Sequence, residues 1–157
     1  MTVQTASAEL DWAIAVIQRG YSALHPTPEL PRPGALQQAA AVREAFAPAA
    51  PLLAARALGR PVEPFTSVRS TDAAYWFTAE PGLAVAVVPP FQAPAVEDQV
   101  AGVALRLPAG VPVHAVVPAG AVRAFERLAA HPARPLALSS YRADLIPTSV
   151  STACRAA

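Results

Sequence analysis

The chain has 157 residues, a formal net charge of +1, 54% hydrophobic residues and only 15% charged residues. This composition excludes an intrinsically disordered chain and gives no bulk electrostatic surface for DNA or an anionic membrane. All 12 basic residues are arginine, so mechanisms that need a Schiff-base or phosphate-loop lysine are excluded for this chain.

Cysteine usage and the first residues indicate where the protein works. The single cysteine, Cys154, cannot form an intrachain disulfide, which is typical of a reducing compartment. The N-terminus lacks the basic and apolar regions of a signal peptide, and no apolar run approaches the roughly 18 residues of a membrane helix. We therefore predict a cytoplasmic protein with no membrane partner.

The N-terminal part, residues 1–60, is predicted to be helical, with a proline-rich connector at 25–34. The first helix is predicted over residues 8–24, with Ser7 as its cap and with Glu9 and Asp11 in its first turn. A second helix is expected over 35–46 and a short third helix over 52–58, ending at Gly59. The first helix carries one narrow apolar stripe, which predicts either core packing or a homodimer interface: Leu10, Ile14, Ile17, Tyr21 and Leu24.

From residue 62 onwards the apolar pattern changes to that of strands alternating with helices. Residues 61–146 are predicted to form an α/β core and residues 147–157 a flexible tail, with the whole chain making one compact domain. The expected strands are 62–69, 73–79, 83–88, 112–117 and 135–139, with helices over 95–107 and 120–130. The fold class is therefore α/β: a three-stranded meander followed by α-β-α-β, giving a mixed central sheet flanked by helices.

Few residues carry recognisable chemistry. The sequence has no nucleophile elbow or glycine-rich phosphate loop, and its three histidines lack metal-ligand spacing. His114 is expected to be a packed strand residue, or else a general base. The candidates for nucleic-acid binding are Arg69, Arg123, Arg127, Tyr141 and Arg142, and a solvated surface is the alternative reading of the arginines.

The order of elements resembles the core of the PD-(D/E)XK, or restriction-endonuclease-like, nucleases. That family carries an aspartate at the start of its second core strand and a Glu-x-Lys pair on the third, which hold magnesium and position water. Asp72 in Ser70-Thr71-Asp72-Ala73 matches the aspartate. Ala86 and Val88 stand where the family has its glutamate and lysine, so the resemblance implies a degenerate active site.

The resemblance also leaves one route to an active enzyme. Some family members place the second acid on the following helix, where Glu97 and Asp98 occur here. Asp72 with Glu97 or Asp98 would then be the candidate catalytic residues, Asp72 the candidate metal ligand, and magnesium the cofactor. The alternatives are that Glu97 and Asp98 are ordinary first-turn acids and that Asp72 stabilises a turn.

Together these observations favour a protein without catalytic activity, for which no cofactor is expected. The leading expectation is a small α/β domain with a degenerate nuclease-like core that binds nucleic acid or a protein partner. The first alternative is a homo-oligomeric assembly protein that pairs through its first helix. The second is a metal-dependent nuclease with a migrated acidic ligand.

Overall fold

The computed structural model describes residues 3–24, 45–61, 69–71, 73–80, 82–90, 96–130 and 136–142. Four long helices lie in these ranges: α1 (Val3–Leu24), α2 (Ala49–Leu58), α3 (Val96–Arg106) and α4 (Val122–Ala129). A 3-10 turn, Ala119–Ala121, leads into α4. The strands are β1 (Arg69–Ser70), β2 (Tyr75–Ala79), β3 (Leu83–Val87), β4 (Val113–Pro118) and β5 (Ala137–Tyr141).

The five strands form one mixed sheet in which the spatial order follows the order in the chain. The first three strands are antiparallel, with Trp76 opposite Ala86. The last three are parallel, with Ala86 opposite Ala115 and Ala115 opposite Leu138. The predicted α/β class is confirmed, including the meander, the parallel final pair and the flanking helices.

Two cores form because side chains alternate between the faces of the sheet. Trp76, Ala86 and Ala115 point to the face covered by α1, α3 and α4. Tyr75 and Phe77 point to the opposite face, which α2 and Phe46 cover. β3 is apolar throughout because it is the central strand and is covered on both faces, as its uninterrupted sequence predicted.

Helix α1 packs on the sheet beside α3 and begins five residues before the predicted start. Ser7 therefore lies inside the helix, and Glu9 and Asp11 lie beyond its first turn, so the predicted cap and first-turn acids are wrong. Leu10 is fully buried and Ile14 is 8% exposed within the single chain.

The part of the α1 stripe formed by Leu10, Ile14 and Ile17 is thus covered by the protein's own α3 and sheet, which a partner would have to displace. Ile17 packs against the same core and lies close to the backbone of Gly102 in α3. A Cβ atom added to Gly102 would lie 2.5 Å from Cδ1 of Ile17. A homodimer interface centred on Leu10, Ile14 and Ile17 would require this packing to open. The side chains of Tyr21 and Leu24 lie outside the described set.

Several boundaries differ from the predicted ones by two or three residues. Helix α2 begins at Ala49 because Pro51 falls in its first turn, where a missing N–H costs no intrahelical bond. Gly59 adopts φ 63° and ends α2, as predicted. Strand β5 begins at Ala137 and runs to Tyr141, two residues later than expected. The predictions for residues 25–34, 35–44, 62–68 and 147–157 lie outside the described residues.

None of the helices in the described ranges combines the length and hydropathy needed to cross a membrane.

Candidate functional site

Ala86 and Val88, the two positions at which the resemblance expected a Glu-x-Lys pair, lie deep in the core. Ala86 is fully buried and Val88 is 1% exposed, both on the sheet face covered by α1 and α3. The backbone of Val88 continues the pairing to β4, because its N–H donates to the carbonyl of Val116 at 2.8 Å. A charged side chain at either position would be surrounded by apolar atoms, which is costly without a paired partner.

The loop before β2 is organised by Thr71. The Thr71 hydroxyl accepts hydrogen bonds from the N–H groups of Ala73 at 3.2 Å and Ala74 at 3.0 Å. It lies 3.0 Å from the Ala74 carbonyl, to which it donates. Asp72 itself is outside the described residues. Thr71 therefore stabilises this turn by side-chain-to-backbone hydrogen bonds, which the sequence Ser-Thr-Asp could have indicated, while the turn role predicted for Asp72 stays a prediction.

Helix α3 presents different residues to its two flanks. Gln99 is buried and lines a cavity of about 10 Å³ together with Thr71 and Ala73, on the side of α1. Successive helical residues are rotated by about 100°, so Glu97 lies roughly 200° around the axis from Gln99. Glu97 and Asp98 instead line a groove on the side of α4. Glu97 and Asp98 therefore line a different surface from Thr71 and Ala73, and the predicted contact of these acids with Asp72 lies outside the described residues.

The groove between α3 and α4 brings together charges of both signs. It has a volume of about 430 Å³, with Glu97 and Asp98 on the α3 wall and Arg123 and Arg127 on the α4 wall. Glu97 is half-buried, and the other three side chains are exposed. In the described structure these four side chains form no ion pair with one another. We refer to this feature as the α3–α4 groove.

The topology explains why these charges meet. Helices α3 and α4 follow the parallel strands β3 and β4, so both begin near the carboxyl edge of the sheet and their first turns lie side by side. Glu97 and Asp98 are favourable at the start of α3, whereas Arg123, the second residue of α4, places a cation at the positive end of the helix dipole. The position of Arg123 therefore opposes helix stability.

The structure buries one of the proposed nucleic-acid residues and places two others in the α3–α4 groove. Tyr141 is 2% exposed, its ring lies 6.2 Å from that of Phe46, and its hydroxyl donates to the carbonyl of Val88. Its burial contradicts the prediction that Tyr141 contacts nucleic acid, because a buried ring cannot stack on a base. Arg142 is exposed at the end of β5, and the side chain of Arg69 is outside the described set. Arg123 and Arg127 both line the α3–α4 groove.

One polar pair was not predicted: His114 on β4 and Ser139 on β5. The Nε2 atom of His114 lies 2.6 Å from Oγ of Ser139, because the parallel register places both on the α2 face of the sheet. Burial lowers the pKa of His114, so its imidazole is neutral at pH 7. A serine beside a neutral histidine is the first half of a hydrolytic triad, but no carboxylate orients this imidazole in the described part of the chain.

The His114–Ser139 pair therefore serves as a polar link between the edge strand and its neighbour. Sequence reasoning placed His114 on a strand but could not pair it with Ser139, since their contact depends on the β4–β5 register.

In the ranges that the structure describes, no three His, Cys, Asp or Glu side chains cluster as metal ligands would. No protein-family model matches the chain, and no curated protein or solved structure is significantly similar to it.

Proposed function

We propose that this chain is a non-catalytic α/β domain, similar in element order to a degenerate nuclease core, that acts by binding a protein partner. One observation carries the proposal: Ala86 and Val88, at the positions of the nuclease Glu and Lys, are 0% and 1% exposed and form part of the main core. These positions contribute to the stability of the sheet and offer no polar group to a substrate.

The α3–α4 groove is the binding surface. It combines an open concave shape with four charged side chains, and its volume of about 430 Å³ is in the range of ligand-sized clefts. Two carboxylates face two guanidinium groups, so the groove has no net charge. Such a surface suits a protein that presents both signs of charge better than a polyanion, because Glu97 and Asp98 would repel phosphates next to Arg123 and Arg127.

The aromatic residues also argue against single-stranded nucleic acid as the partner. Base stacking needs accessible rings, but Tyr75, Trp76 and Tyr141 are at most 5% exposed. The exposed aromatic side chain in the described set is Trp12, on α1, and it does not line the groove that holds the arginines.

A nuclease assay tests the non-catalytic part of the proposal. The full chain is incubated with magnesium and with single-stranded DNA, duplex DNA or RNA, beside the Asp72→Ala and Glu97→Gln/Asp98→Asn variants. We expect no hydrolysis above the buffer rate in any sample. Magnesium-dependent cleavage that Asp72→Ala abolishes would show that the protein is an enzyme after all.

A salt titration tests the choice of partner class. Specific or strong non-specific DNA binding would weaken steeply with added salt, because phosphate contacts release counterions. We expect the affinity for a 20-base-pair duplex to be no tighter than about 100 µM at 150 mM salt, the weak end of non-specific binding. Submicromolar affinity that is lost in Arg123→Gln/Arg127→Gln would instead identify the groove as a nucleic-acid site.

A further inference from the structure

The charges of the α3–α4 groove are arranged so that the groove is complementary to itself. The acidic wall, Glu97 and Asp98, lies on one helix and the basic wall, Arg123 and Arg127, on the other. If a second copy is turned by 180° about an axis that runs along the groove, so that the two grooves face each other, its basic wall lies over the first copy's acidic wall. The reverse contact forms at the same time, as in any isologous interface.

We propose that the partner bound in the α3–α4 groove is a second copy of this chain, which makes the protein a two-fold symmetric homodimer. This proposal rests on the proposed function, since it names the occupant of the same binding surface. A foreign partner would need to reproduce both charge signs at the same separation, whereas a second copy presents that pattern already. Among the described residues none of the four charges is engaged in an ion pair, so each can pair with the other copy.

An exposed leucine extends this surface. Leu105 is 49% exposed and is one of two large hydrophobic side chains that protrude from the described structure. It lies seven residues after Asp98 on α3, which places it on the same line of the helix about 10 Å further along. An apolar side chain beside complementary charges is the usual composition of an interface, with leucine supplying buried area and the charges fixing the orientation.

The size of the surface formed by α3 and α4 sets the expected affinity of the dimer. Helix α3 has 11 residues and α4 has 8, so the two helices are about 16 and 12 Å long. A contact between two such faces falls at the lower end of protein interfaces, below the roughly 1,200 Å² of a standard complex. We therefore expect a reversible dimer with a dissociation constant in the micromolar range that weakens with salt, since its charges are exposed.

Charge-reversal variants of the full chain test the arrangement directly. Arg123→Glu/Arg127→Glu makes both walls acidic, and Glu97→Arg/Asp98→Arg makes both walls basic. Sedimentation equilibrium from 1 to 200 µM should show a wild-type dimer at low salt. Each variant alone should dimerise at least about 100-fold more weakly, because like charges then face each other in both contacts. An equimolar mixture of the two variants should restore dimers, which would also show that both variants fold.

Matched controls distinguish an effect of the groove residues from a general effect of net charge. Arg19→Glu/Arg56→Glu reverses two exposed arginines on α1 and α2 with the same change in net charge, and it should leave the dissociation constant within threefold of wild type. Leu105→Ala should weaken the dimer about tenfold.

The outcomes distinguish the dimer from the broader proposal. A wild-type protein that stays monomeric at 200 µM, or a variant mixture that stays monomeric, would overturn the dimer while leaving the non-catalytic protein-binding domain intact. A control pair that weakens the dimer as much as the groove variants, or a Leu105→Ala variant that dimerises like wild type, would overturn the placement of the interface. DNA cleavage or tight DNA binding in the assays above would instead overturn the proposed function.

Discussion

Replacing Tyr141 with phenylalanine tests the placement of a residue that the sequence suggested for nucleic-acid contact. The hydroxyl donates to the Val88 carbonyl, and the two residues are 2% and 1% exposed. Tyr141→Phe keeps the ring that packs beside Phe46 but leaves a buried carbonyl without this donor. Leaving a buried acceptor unsatisfied costs about 1–3 kcal/mol, and no cavity larger than one hydroxyl is created.

The assay is urea unfolding followed by circular dichroism. With an m value of about 2 kcal/mol/M, a loss of about 2 kcal/mol lowers the midpoint by about 1 M. Burial raises the pKa of Tyr141, so the phenol is neutral and the loss should be the same at pH 6 and pH 9. Ser140→Ala removes an exposed hydroxyl from the same strand and should change stability by less than about 0.5 kcal/mol.

Two results would refute the reasoning about Tyr141. One is a Tyr141→Phe variant as stable as the Ser140→Ala control, which would mean that the hydroxyl is not a buried donor. The other is a variant of unchanged stability that loses affinity for DNA, which would place the side chain at a binding surface.

Three further predictions follow from the same structure. Val88→Lys should lower the free energy of unfolding, measured in urea, by more than about 3 kcal/mol, because an unpaired charge would enter the core; a stable variant would mean that position 88 reaches solvent. Because burial lowers the pKa of His114, the contribution of this group to stability should be fully present well above pH 6.5 and be lost as the pH falls through 6.5 towards the native-state pKa; His114→Gln should flatten this part of the profile, and an unchanged slope would assign it to other groups. Arg123→Gln should raise the midpoint by the equivalent of about 0.3–1 kcal/mol, since it removes a cation from the start of α4, and should weaken self-association in sedimentation; a less stable variant would mean that Arg123 supports the fold.

Much of the sheet could be predicted because its signals are local. Tyr75, Trp76 and Phe77 alternate between two faces, and the unbroken apolar run of Leu83–Val87 predicts a strand covered on both sides. Gly59 ended its helix as expected, because the left-handed conformation that a C-cap needs favours glycine. The start of α1 was predicted wrongly because the Ser7 side chain can act as an N-cap. The helix in fact begins at Val3, so Ser7 lies in its interior.

The site was harder to predict because it depends on contacts between distant elements. Tyr141 precedes an arginine and reads as a surface residue, yet β5 extends far enough to place it over Val88, 53 residues earlier. Glu97 and Asp98 read correctly as first-turn acids, but nothing local indicated that Arg123 and Arg127 would lie opposite them. The role of Thr71 depends on the backbone of Ala73 and Ala74 turning back towards its hydroxyl, which the residue types of this segment do not by themselves specify.

The agreement between strand order and chain order has a consequence for how the protein folds. Each strand from β2 to β5 pairs with the strand synthesised immediately before it, so the sheet can grow by one strand at a time as the chain leaves the ribosome. Helix α1 is the exception, since its main partner α3 begins at residue 96. Until α3 is made, the apolar side of α1 has β2 and β3 to pack on but lacks its main partner. We therefore expect the docking of α1 on α3, a contact of high sequence separation, to be a late step of folding and the one most exposed to aggregation.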